Sequence, residues 1–139
     1  MAFGSEVHRA IVEQSADAII FADRDGIIRL WNRGAEIVFG HAASEALGRE
    51  LSLIIPERFR AAHDAGYRKA IETGQLRNHG RVLTTRSQHK DGSRLYVDLS
   101  FGLLKDSSGN VAGLFAIGRD CTERHLEQQA LRAKAAGKP

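Results

Sequence analysis

Apolar and polar positions alternate along this chain in two periods, and the changes of period divide it into elements. From Ser5 to Gln14, Val7, Ala10, Ile11 and Gln14 recur at helical spacing, with Ser5 and Glu6 suited to a helix start. "DAIIFADRDGIIRLWN" then predicts a hairpin, because two β-rich runs flank Asp25-Gly26, a pair that readily takes the positive φ of a tight turn. Asn32 can cap the next helix. "RGAEIVFG" and "SEALGRE" predict short helical pieces closed by Gly40 and Gly48. Pro56 opens a longer helix, where its missing N–H costs nothing, and that helix runs to Gly74. Three runs of strand character follow, His79 to Gln88, Arg94 to Leu104 and Val111 to Arg119, separated by the turn strings "HKDG" and "KDSSGN".

In the long helix, "RFRAAHDAGYRKAIETG", Phe59, Ala62, His63, Gly66, Tyr67, Ala70 and Ile71 follow i, i+3, i+4 spacing and predict one continuous buried stripe. His63 and Tyr67 then face inward. A buried imidazole requires a hydrogen-bond partner or a metal, since leaving it unsatisfied costs roughly 1–3 kcal/mol. Ala62 and Gly66 thin the surface around it and leave room for something flat.

Two strands, a helical insert and three more strands predict an α+β fold: a five-stranded antiparallel sheet with the central helices over one face and helices at both termini. An enclosed space is expected between long helix and sheet, with Leu83, Leu103 and Leu114 as wall residues. In "RDCTERHLEQQALRAK", Asp120 and Glu123 fit a capping box. Leu126, Ala130 and Ala133 form a seam narrow enough for a two-helix contact.

Composition narrows the function. At 139 residues the chain holds one hydrophobic core, and its 42% hydrophobic and 27% charged content is that of a soluble globular domain. The formal net charge of +3 is spread through the chain among acids, so no patch for direct nucleic-acid binding is expected. One cysteine, Cys121, forbids an internal disulfide and a cysteine-based zinc cluster. No leader peptide and no membrane-length apolar stretch is evident, which predicts a cytoplasmic domain. There is no G-x-S-x-G, P-loop, glycine-rich dinucleotide turn or helical pair of metal histidines, so no enzyme is expected in this chain. His8, His41, His89 and His125 read as solvated, Trp31 and Phe39 as core, and Cys121 as an inert thiol.

The strings "AIIFADRDGIIRLWNRGAEIVFGHAASEALGRELSLIIPE", "HKDGSRLYVDLSF" and "GLFAIGRDCTER" closely resemble the PAS sensory domain family over about Val7 to Arg124. The resemblance implies a sensor and dimerisation module: an N-terminal cap helix over 1–15, the PAS domain over 16–120, and the start of a signalling helix with its tail over 121–139. "RDCTER" is similar to the family's closing Asp-x-Thr motif, which assigns Asp120 and Thr122 to signalling.

The closest motif similarity is to the haem-binding PAS domains of oxygen-sensing kinases and phosphodiesterases. It implies haem b as cofactor and His63, in "RAAHDAGY", as the proximal iron ligand. It also implies Arg81, in "GRV", as the residue that bonds the gas, and His79, two residues earlier, as a second axial ligand. Alternation along a strand puts His79, Arg81 and Leu83 on one face. Flavin photochemistry through a cysteinyl adduct is excluded, because residues 32–74 contain no cysteine. The alternative reading is a dimerisation or small-metabolite module in which His63 is packed without haem. Either way a homodimer through the terminal helices is expected, reporting to an effector domain, such as a kinase or a regulator of transcription.

Overall fold

The computed structural model describes residues 4–77 and 80–137. Helix α1 (Ser5–Gln14) leads into strands β1 (Ala18–Asp23) and β2 (Ile28–Trp31). Helices α2 (Arg33–Phe39), α3 (Ala43–Ala46) and α4 (Glu57–Thr73) follow, then β3 (Leu83–Gln88), β4 (Arg94–Lys105), β5 (Val111–Asp120) and α5 (Thr122–Ala135). The strands form one antiparallel sheet in the order β2-β1-β5-β4-β3.

Single residues punctuate these elements. The Asp23 carboxylate accepts from the N–H groups of Asp25 (2.9 Å) and Ile27 (3.1 Å). Gly26, at φ 78°, then supplies the left-handed turn that sends β2 back. Asn32 caps α2 by accepting from the Ala35 N–H (2.9 Å). It does more than cap: its Oδ1 also accepts from Ile19 N–H, and its Nδ2 donates to the carbonyls of Val12 and Asp17. One buried amide thus joins α1, β1 and α2.

The register sets which side chains meet on the inner face. Ala22, Leu114 and Leu103 form one row, and Ile20, Ala116 and Phe101 the next. Ala18, Gly118, Leu99 and Leu83 form a third. The core gathers where α2, α3 and the 3-10 turn Leu51–Ile54 cover this face: Ile20, Ile28, Trp31, Phe39, Ile54, Val97 and Leu99 are all buried. Each such side chain contributes about 1.5–3 kcal/mol. Trp31 and Phe39 are core, as the sequence predicts, with ring centroids 5.5 Å apart.

Four expectations need correction. Strand β3 begins at Leu83 rather than at residue 79, because Gly80, at φ 77°, turns the chain just before it. The strand alternation invoked for Arg81 therefore does not hold: Arg81 is exposed and outside β3. His79 lies outside the described residues. The proposed capping box is displaced as well, because α5 starts at Thr122 and Asp120 bonds to the N–H and hydroxyl of Thr122 instead. His41 is buried, not solvated, since its carbonyl accepts from Trp31 Nε1 (3.0 Å) and its ring packs edge-on to the indole.

Both terminal helices touch the domain at its edges but bury no residue of their own. Ile11 and Leu126 are 62% and 42% exposed.

Candidate ligand cleft and helix junction

Helix α4 meets the sheet mainly through its second half. Ala70 and Ile71 are buried, and the Tyr67 hydroxyl lies 3.0 Å from the Ala22 carbonyl and 2.5 Å from that of Asp23, at the end of β1. Burial, with Asp23 and Asp25 nearby, pushes the Tyr67 phenol up to about 12. The predicted stripe is thus not continuous. Phe59, Ala62 and Gly66 are exposed, because the first half of α4 does not lie flat on the sheet, while His63 and Tyr67 sit half-buried between the two regimes.

His63 and Tyr67 face a cleft of about 500 Å³ bounded by α4, the 3-10 turn and the β1–β2 turn. That size is in the range of small-molecule sites. Leu51 and Ile71 supply apolar wall; Arg24, Asp25, Glu50, Asp64, Arg68 and Glu72 supply a charged rim. The His63 Nδ1 is shielded from water and has no hydrogen-bond partner. The Asp64 carboxylate is 3.6 Å away, beyond bonding distance. The Tyr67 ring centroid is 6.3 Å from that of His63.

The other sequence-selected residues distribute as follows. Leu83, Leu103 and Leu114 are half-buried on the inner face of the sheet, with Leu103 and Leu114 directly paired, but the cleft is lined by other residues. Arg81 is exposed and does not line it. Arg24, Glu50, Leu51 and Arg68, unmarked by the sequence pattern, reach the cleft from turns, a bridge and the flank of α4. No local signal marks them, because only the folding of the hairpin toward α4 brings them together.

At the opposite end of β5, Asp120 and Thr122 are built into the start of α5. Asp120 Oδ1 accepts from the Thr122 N–H (2.8 Å) and hydroxyl (2.6 Å), while the Thr122 Oγ1 accepts from the Tyr96 N–H (2.9 Å). The Tyr96 carbonyl accepts from the Cys121 N–H (2.8 Å). Asp98, next along the same face of β4, accepts from Thr84 Oγ1 (2.5 Å) and pairs with Arg124. Hydrogen bonds from Thr84 and Arg124 hold its carboxyl below the usual range. Tyr96 and His125 stack at 4.0 Å. Burial pushes the Cys121 thiol up, which keeps it in the unreactive form.

A family model described as PAS fold matches residues 12–126. The sensor protein FixL of Bradyrhizobium diazoefficiens is 32% identical over 130 residues, which is 91% of this chain and 25% of FixL. The oxygen sensor protein DosP of Escherichia coli is 25% identical over 121 residues, 87% of this chain and 15% of DosP. The chain therefore spans a quarter or less of the length of these relatives. Among solved structures, the PAS domain of a Colwellia psychrerythraea protein superposes with a TM-score of 0.73 at 21% identity, covering 85% of this chain and 97% of that one. With its sheet, its helical insert and 115 of its residues matched, the chain belongs to the PAS domain family.

Proposed function

We propose that this PAS domain is a haem-based gas or redox sensor that holds its cofactor at His63 and passes the state of the cleft to α5. The observation that carries the reading is that His63, a half-buried imidazole with no hydrogen bond at Nδ1, lines a cleft of ligand size. An imidazole is a good iron ligand, while the hydroxyl of Tyr67, the other half-buried polar side chain of α4 in the cleft, already bonds the Ala22 and Asp23 carbonyls. A haem supplies an iron centre that exchanges axial ligands and electrons. His63 would hold it, Leu51 and Ile71 would bound it, and Arg24 and Arg68 suit its carboxylates. The similarity to an oxygen sensor protein and to FixL supports the same reading.

His79 as a second residue that would hold the iron and Arg81 as a donor to a bound gas belong to this proposal; Arg81 itself lies exposed, outside the cleft lining. Output would run from the sheet through Asp120, Thr122 and Asp98 into α5, and on to an effector such as a kinase. The uncovered apolar residues of α1 and α5 would hold a homodimer. No described helix is long and apolar enough to cross a membrane.

The charged rim favours a second reading, a small polar metabolite in the same cleft without haem. The absorption spectrum of protein reconstituted with haem separates the two. A Soret band lost in His63→Ala supports haem at His63. An identical spectrum in the mutant refutes the assignment, and no band in wild type favours the metabolite.

A further inference from the structure

Adjacent residues on a helix do not normally face each other, yet Asp64 brings its carboxylate to 3.6 Å from His63 Nδ1. Among the described residues it is the one carboxylate within 4.0 Å of either His63 nitrogen. Both side chains line the cleft. A neutral imidazole carries its proton on one nitrogen and a lone pair on the other. A lone pair on Nδ1, an atom itself shielded from water, would oppose the negative oxygen beside it. A proton on Nδ1 is attracted to that oxygen, and a small rotation of the exposed Asp64 side chain closes a hydrogen bond. Electrostatics therefore select one tautomer.

We propose that Asp64 is a positioning residue for His63: its carboxylate keeps the proton on Nδ1, fixes the ring, and leaves the Nε2 lone pair available to a metal or a donor group in the cleft. The proposal rests on the cleft being a ligand site, and it extends that reading by naming what prepares the ligand before anything binds. Carboxylates that accept from the far nitrogen of a ligating histidine orient the ring and raise its basicity, and their removal commonly weakens metal affinity by about 10–100-fold.

The test uses the ¹⁵N shifts of the neutral His63 ring in protein without cofactor, compared among wild type, Asp64→Ala and Asp64→Asn. Asp64 is 61% exposed on a helix, so alanine there should not disturb folding. Wild type should show predominantly the Nδ1–H form, and Asp64→Ala and Asp64→Asn, whose amide can donate as well as accept, a mixture of both tautomers. Equal shifts in wild type and Asp64→Ala would overturn the proposal. A haem titration of the same proteins should show affinity about 10-fold weaker in Asp64→Ala. Because the ring shifts are read without cofactor, failure of wild type to take haem would refute the haem reading while leaving the tautomer result to decide the role of Asp64.

Discussion

The Tyr67 hydroxyl lies 2.5 Å from the carbonyl oxygen of Asp23, joining the middle of α4 to the end of β1 across a gap of 44 residues in sequence. This bond closes the inner side of the cleft and holds α4 to the sheet where the helix begins to separate from it. Tyr67→Phe should lower unfolding stability by about 1–2 kcal/mol in urea. The phenol's raised value adds a pH signature. Its contribution is complete below its ordinary value of 10.0 and is lost as pH rises from there toward about 12. Wild type should therefore lose stability over that window more steeply than Tyr67→Phe; parallel profiles would contradict the burial of this hydroxyl.

At the other end of the sheet, Asp98 ties β3 through Thr84 and α5 through Arg124. Asp98→Ala should speed hydrogen exchange of the first-turn amides of α5 several-fold, with amides of β1 and β5 unchanged. Uniform acceleration across the sheet would mean that Asp98 serves general stability rather than the helix junction.

His41 offers a second pH probe. Burial lowers its affinity for protons, so the folded state binds fewer protons than the unfolded chain. Stability from this group is present above its ordinary value of 6.5 and declines as pH falls below it. The His41 ring protons should titrate below 6.5 by NMR, and His41→Leu should lessen the stability loss between neutral and mildly acidic pH. A midpoint above 6.5 would contradict the packing against Trp31.

The local signals of this fold were legible wherever one residue dictates backbone geometry. Asp25-Gly26, Asn32, Gly40, Pro56 and Gly74 each mark the turn, cap or helix end that the structure shows. Burial was less legible because it depends on neighbours distant in sequence. His41 is enclosed by Trp31 and by the Glu45–Lys90 ion pair, whose partners are 45 residues apart. The composition of the run before Leu83 does not show where β3 starts, because the positive φ of Gly80 that breaks it is not visible in residue type alone. The spacing that places His63 on the inward side of α4 also marks Ala62 and Gly66 as buried, although both are exposed. Periodicity identifies one face of a helix, while the distance of that face from the sheet is a property of the whole fold.

The terminal helices carry the expectation of a homodimer. Val7 and Ile11 on α1 and Leu126 on α5 find no core in their own chain. Removing residues 1–14 should shift the protein toward monomer in sedimentation, without loss of the sheet signal in circular dichroism. An unchanged dimer would place the interface elsewhere.

The cleft beside α4 is proposed to take its ligand at His63. This is tested most directly by titrating haem into the protein while following fluorescence of Trp31, the single tryptophan, in wild type and His63→Ala. Saturable quenching at one haem per chain is expected, with affinity at least about 10-fold weaker in the mutant. Equal affinity in the two proteins would contradict it.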